Sequence, residues 1–176
     1  MKEEIICAGF GGQGIMMLGK LIARGSLDKG LNVTWMPSYG AEVRGGTAHS
    51  MVVLSDEEVA SPIITSCSTA IIMNKPSLDK FLMKIKKNGL LILNSTLASG
   101  SIKRKDINVL KIPMTEMAHA LGNVRIANMI AFGAFMKQKP LFSREIAEKG
   151  ISIAFAKDKK LVALNIKALE KGLKTK

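Results

Sequence analysis

The sequence predicts a three-layer α/β fold built on a mostly parallel, Rossmann-like sheet. Three observations predict it. Apolar runs of strand length alternate with helical patterns over residues 1–112, helical patterns alone fill the rest, and the first strand leads straight into a glycine turn and a helix. Such alternation lays strands side by side with crossover helices on the sheet faces. At 176 residues the chain is long enough to bury a sizeable core as one domain, residues 1–176.

Taken in order, residues 4–8 make the first strand. Residues 12–29 make a helix with Ile15, Leu18 and Ile22 on one face, and Gly30 stops it. Residues 32–36 form a second strand and residues 47–54 a third, joined by a loop from Pro37 to Gly46. Ser55-Asp56-Glu57-Glu58 is a turn. Residues 69–73 are the next strand, and Pro76 and Ser77 open a helix that runs to about Lys86, since proline suits a first helical turn. Asn88-Gly89 is a turn before the strand Leu90 to Leu93, and residues 107–112 are a further strand. Helix follows from Thr115. Residues 125–136 are apolar nearly all round, which marks a buried helix. Residues 143–155 carry Ser143 as a cap, and 159–173 show the stripe Val162, Ile166, Leu169 and Leu173.

Composition narrows the function classes. The net charge is +12, with basic clusters at Lys84, Lys86, Lys87; Lys103, Arg104, Lys105; Lys157, Lys159, Lys160; and Lys171, Lys174, Lys176. These clusters read as solvated helix ends and loops or as a binding surface; aromatic residues make up only 5% and do not interleave with the lysines, which favours an acidic protein or a coenzyme phosphate over nucleic acid as a partner. No apolar stretch approaches the roughly 20 residues of a membrane span, and the start Met1-Lys2-Glu3-Glu4 lacks a signal-peptide layout. Cytoplasmic residence is the expectation. The two cysteines, Cys7 and Cys67, form no C-x-x-C pair and no His/Cys cluster, so no metal site is expected, and Cys7 reads as an inert core thiol. Eleven methionines, with Met16 and Met17 beside the glycine turn, suit either an ordinary core or adaptable apolar interfaces.

The first motif is Gly9-Phe10-Gly11-Gly12-Gln13-Gly14, with the G-x-G-x-x-G spacing of a dinucleotide-type turn. Glycines there allow a tight turn, close backbone approach and close helix–strand packing. Amides at the helix start can hold a phosphate or carboxylate. A nicotinamide site also needs an acidic residue at the end of the second strand, but that strand ends Trp35-Met36-Pro37-Ser38 and Asp28 lies in the preceding helix. No G-K-[ST] follows the glycines, which excludes a phosphate-loop NTPase. The second motif, Ser38 to His49, follows the second strand and is expected over the carboxyl edge of the sheet. Arg44 can grip a carboxylate or phosphate with two hydrogen bonds, or pair with Glu42 in a structural turn. Gly45 and Gly46 let a backbone come close. His49 reads as a strand residue with a satisfied ring.

Together, Gly9 to Ile15, Tyr39-Gly40-Ala41-Glu42-Val43-Arg44-Gly45-Gly46-Thr47, the acidic turn after Ser55, and Ser61-Pro62 resemble the gamma subunit of the 2-oxoacid:ferredoxin oxidoreductases, over residues 4–140. The loop is more similar to the 2-oxoglutarate enzymes (2-oxoglutarate synthase) than to the pyruvate enzymes. Ala41 departs from the proline found in many relatives. The resemblance implies a fold as in domain III of pyruvate:ferredoxin oxidoreductase. It also implies a role in a complex of alpha, beta, gamma and delta-type subunits, a heterotetramer. That complex decarboxylates a 2-oxoacid, forms an acyl-CoA and passes electrons to ferredoxin. Thiamine diphosphate and iron–sulfur clusters would sit on partner subunits, with coenzyme A as co-substrate. This chain lacks the thiamine-type Gly-Asp-Gly segment and would be inactive alone. The ligand-binding candidates are then Gly9, Gly11, Gly12, Gln13, Gly14, Arg44, Gly45 and Gly46. Tyr39, Glu42 and Arg44 are the candidates nearest the chemistry. The alternative is a stand-alone Rossmann-like nucleotide-binding module.

Overall fold

The computed structural model describes residues 1–39 and 47–175. Six strands form one sheet: β1 (Lys2–Phe10), β2 (Asn32–Tyr39), β3 (Thr47–Ser55), β4 (Cys67–Ile72), β5 (Ile85–Asn94) and β6 (Asn108–Ile112). Their spatial order is β2-β3-β1-β4-β5-β6. β1, β4, β5 and β6 pair in parallel, while β3 runs antiparallel to both β1 and β2. The helices are α1 (Ile15–Asp28), α2 (Lys75–Phe81), α3 (Met114–Ala120), α4 (Ala127–Gln138), α5 (Arg144–Ala154) and α6 (Lys159–Leu173).

The α/β layering is as the sequence predicts, with an uneven division. Ile5, Cys7, Val52, Ile71 and Ile92 face α1, α3, α4, α5 and α6 on one side of the sheet. Ile6, Ala8, Val53, Ile72 and Leu91 face the other side, where α2 and the segments around Ile64 and Ala98 complete a thinner layer. Successive side chains of a strand point to opposite faces, so the near-continuous apolar runs in β1, β4 and β5 feed both layers.

Several boundaries differ from the sequence expectation, for local reasons. α1 begins at Ile15 rather than at residue 12, because Gly12 and Gly14 take left-handed backbone angles, φ 92° and 70°, that cannot continue a helix. α2 ends at Phe81 and passes through a 3₁₀ turn, Leu82–Lys84, into a strand that already starts at Ile85. Asn88-Gly89 therefore does not precede the strand. Asn88, at φ 63°, sits in a bulge inside β5, where the pairing jumps from Cys67–Ile85 to Thr69–Leu90. No helix joins β5 to β6 or β2 to β3 among the described residues, so the expected alternation is incomplete.

The C-terminal helices close over the chain's own core. α4 is buried nearly all round, as its composition predicts. The buried face of α6 centres on Asn165, Ala168, Leu169 and Gly172, shifted from the expected stripe, of which Leu169 is buried and Ile166 and Leu173 pack partly buried against the core. The cause is the crossing with α4. A Cβ on Gly133 would lie 2.1 Å from the Leu169 carbonyl oxygen, and one on Gly172 would lie 2.1 Å from that of Ile130. The two backbones meet with no room for a methyl group.

Part of the basic charge is used structurally. Arg104 donates to the carbonyls of Leu82 (2.9 Å) and Ile85 (2.7 Å) and pairs with Asp106 at 2.6 Å. Lys86 pairs with Glu4, and Lys139 reaches the buried Glu3 at 3.1 Å.

Two outcomes follow from this packing. Gly133→Ala or Gly172→Ala should each cost about 1–3 kcal/mol, the range for overpacking a tight interior, and the double variant should fall short of the sum because both changes separate the same two helices. Urea unfolding measures both. Cys7 and Cys67 are fully buried on opposite faces, and burial pushes each thiol up to about 12. Neither should react with an aromatic disulfide reagent at mildly alkaline pH until the protein is denatured, when both should.

Candidate functional site

The carboxyl ends of the parallel strands converge on one edge, where α/β proteins place their sites. β1 ends there in the glycine turn, β4 runs into Asn74, β5 ends in Asn94 and β6 leads to Thr115. The turn is closed by Gln13. Its backbone N–H donates to the Phe10 carbonyl at 3.2 Å, and its side-chain Oε1 accepts from the Phe10 N–H at 2.7 Å. The same Oε1 accepts from Asn74 Nδ2 at 3.3 Å, while Asn74 Oδ1 caps α2 through the Ser77 N–H at 2.9 Å. Gly9 must be glycine for this fold-back, because a Cβ would stand 2.5 Å from Gln13 Oε1. The Gln13 carbonyl thus shapes the turn and does not face outward.

Gly14 is pinned on its other side. Asn128 Nδ2 donates to the Gly14 carbonyl at 3.1 Å, and a Cβ on Gly14 would lie 2.2 Å from that nitrogen. Gly11 and Gly12, by contrast, are exposed, with open space where a Cβ would go. Gly12 is explained by its positive φ; nothing among the described residues requires glycine at 11.

Two clefts flank Gly12. One, of about 160 Å³, is lined by Gly12, Gln13, Met73, Leu97, Thr115, Val124, Arg125 and Ala127. The other, of about 320 Å³, runs past Gly14, Met17, Asn128 and Phe155. Arg125 lines both, is exposed, and makes no ion pair among the described residues. Apolar walls with a guanidinium and the exposed Gly12 beside them suit a ligand with an apolar body and an anionic end.

The expected site residues divide into three groups. Gly9, Gln13 and Gly14 build the turn; Gly11 and Gly12 present it. Tyr39 is 70% exposed at the end of β2, opposite Ala48. Phe10 pairs with Thr47, so Tyr39 and Thr47 leave the sheet at the same edge as the glycine turn. Glu42, Arg44, Gly45 and Gly46 lie outside the described residues. His49 corrects the expectation of a satisfied ring. Its Nδ1 is buried without a hydrogen-bond partner among the described residues, and the ring tilts over Phe81 at 5.0 Å. Burial, then Lys80 and Lys84, hold its pKa below the usual histidine value.

Sequence reasoning missed Arg125, Asn74, Asn94 and Asn128. Asn94 Nδ2 donates to the Met73 carbonyl (3.2 Å) and to Thr115 Oγ1 (2.9 Å), tying the ends of β4 and β5 to α3. A signal was present: Met73-Asn74 and Leu93-Asn94 each end an apolar run with an asparagine, where the strand meets the site edge. Arg125 had none, being one arginine among 26 basic residues.

Among the described residues, no group of three or more His, Cys, Asp or Glu side chains could hold a metal ion, and no helix is long and apolar enough to cross a membrane. The two cysteines do not fit an iron–sulfur cluster, since both are buried and they lie on opposite sheet faces.

Comparison with known proteins matches this architecture. The family model described as pyruvate ferredoxin/flavodoxin oxidoreductase matches residues 4–175. The ketoisovalerate oxidoreductase subunit VorA of Methanothermobacter thermautotrophicus is 34% identical over 172 residues, covering 97% of this chain and 36% of VorA. The chain thus spans about a third of that relative's length. The gamma subunit of a keto/oxoacid ferredoxin oxidoreductase from Geobacter sulfurreducens superposes with a TM-score of 0.82 at 28% identity, over 97% of this chain and 95% of that one. A 2-oxoglutarate:ferredoxin oxidoreductase from Magnetococcus marinus, with 2-oxoglutarate, coenzyme A and succinyl-CoA bound, superposes with a TM-score of 0.89 at 25% identity, over 98% of this chain and 30% of that one. With the match running nearly end to end and the glycine turn at its head, the chain belongs to the pyruvate ferredoxin/flavodoxin oxidoreductase family.

Proposed function

We propose that this chain is the gamma-type subunit of a 2-oxoacid:ferredoxin oxidoreductase and that its glycine-turn edge handles coenzyme A. The observation that carries the reading is the pairing of exposed Gly11 and Gly12 with the free-standing Arg125 between two apolar-walled clefts. Backbone amides and a guanidinium favour an anionic group, and the clefts accept an apolar arm. The coenzyme A bound to the Magnetococcus enzyme supports this choice of ligand. Arg44, Gly45 and Gly46 would add a second anion contact, and Tyr39 and Glu42 would face the reacting region. Decarboxylation would rest on thiamine diphosphate, and electron transfer on iron–sulfur clusters, both held by alpha, beta and delta-type partners, with ferredoxin as acceptor. The complex would work in the cytoplasm, and this chain would not turn over alone.

We take 2-oxoglutarate as the substrate, on the form of the Tyr39–Gly46 loop and the likeness to the Magnetococcus enzyme. The likeness to VorA favours a second reading, a branched-chain 2-oxoacid. Dye reduction by the reconstituted complex, with 2-oxoglutarate, 2-ketoisovalerate and pyruvate compared by kcat/KM, decides between them. Preference for 2-ketoisovalerate would reverse the choice.

Arg125→Ala should raise the KM for coenzyme A about tenfold or more with kcat little changed, the pattern of a lost charge-assisted contact made equally in ground and transition states. An unchanged KM would remove Arg125 from the ligand site. Gly11→Ala should leave stability within about 0.5 kcal/mol yet weaken coenzyme A use per assembled complex. If it instead blocks assembly and spares the activity of whatever complex forms, the turn serves subunit packing. Arg44→Ala should slow acyl-CoA formation by the reconstituted complex; an unchanged rate removes Arg44 from the site.

A further inference from the structure

Three features stand out on the surface away from this site. His49, Lys80 and Lys84 gather around Phe81, a cluster that carries no feature selecting a ligand. The open edge of β6 carries no feature that selects a partner. The third is a groove between α1 and α5, and its chemistry selects an occupant.

The groove has a volume of about 400 Å³ and is lined by Met17, Lys20, Leu21, Arg24, Gly150, Ile153 and Ala154. On α1 the lining falls at i, i+3, i+4 and i+7, two helical turns spanning about 10 Å. On α5 it falls at i, i+3 and i+4. Gly150 opens the floor, since a Cβ there would already stand 3.3 Å from Leu21 Cδ2. Ile153 forms a wall and is 61% exposed, unusual for isoleucine on an amphipathic helix whose other face is buried at Ala147 and Ile151. The rim is basic. Lys20 is exposed, Arg24 is only partly offset by Asp28 at 2.9 Å, and none of the lining residues is acidic.

An apolar trough two turns long, between two helices, is the receiving half of helix-in-groove recognition. The basic rim sets the charge of what fits. We infer that the α1–α5 groove docks an amphipathic helix of a neighbouring subunit, apolar along one stripe and acidic along its flank. This rests on the multi-subunit reading above and extends it by naming a surface and the partner's chemistry. Met17 also lines the cleft beside Gly14, so the docked helix would lie against the outer wall of the ligand site.

The test uses the complex assembled from this chain and its cognate subunits. Ile153→Asp and Lys20→Glu alter exposed side chains and should melt with the wild type, yet each should weaken association about tenfold or more. Added salt should weaken the wild-type complex more than that of Lys20→Glu. A photo-crosslinking residue at position 153 should attach to an acidic, amphipathic helix of another subunit. Wild-type affinity in both variants, or a crosslink to a second copy of this chain or to a basic or non-helical segment, overturns the groove assignment and leaves the subunit reading standing. A wild-type chain that binds none of those subunits overturns both.

Discussion

The contact between Gly14 and Asn128 is the constraint on which the rest of this molecule depends. Gly14 turns the chain from β1 into α1 in a left-handed conformation, and Asn128, in the first turn of α4, donates to its carbonyl. A side chain at 14 would collide with that amide. One contact therefore fixes the starts of two helices against the end of a central strand, across 114 residues of sequence. Everything at the site edge is set relative to it: the Gln13 fold-back over Gly9, the link from Gln13 to Asn74, and the 3₁₀ turn Val124–Ile126 that brings Arg125 to the glycines.

The uneven layers assign different work to the two faces of the sheet. Five helices fill one side, and the tightest junction there is the glycine crossing of α4 and α6. That crossing anchors α4, hence Asn128 and Arg125. The thinner side carries the irregular parts, including the β5 bulge and the segment from Ser95 to Ile107. Arg104 holds that side together by capping the carbonyls of Leu82 and Ile85. The net charge of +12 is accordingly not one binding surface. Part of it holds the fold, while Arg125 and Lys20 stand exposed at the clefts beside α1 and the glycine turn.

The candidate site was half legible before the fold was known. Glycine spacing identified the turn because turn chemistry is local: Gly12 and Gly14 need backbone angles that other residues rarely take. The same spacing could not say which glycines the chain's own packing requires. Gly9 and Gly14 proved to be required by Gln13 and Asn128, and Gly11 by nothing among the described residues. Arg125 was invisible, because its value comes from lying beside a turn more than a hundred residues away.

By itself, the sequence determined the layered α/β class, the buried α4, the Ser143 cap of α5, the stop at Gly30 and the glycine turn. Each rests on hydrophobic periodicity or backbone sterics within a few residues. Tertiary structure decided the reversal of β3, the continuation of β5 through Asn88-Gly89, the rotation of α6 about Gly172, and the meeting of Arg125 with the glycine turn. These depend on which surfaces approach and how closely. Such distances arise from packing between segments far apart in the chain, where local preferences of under about 1 kcal/mol per residue are readily overridden.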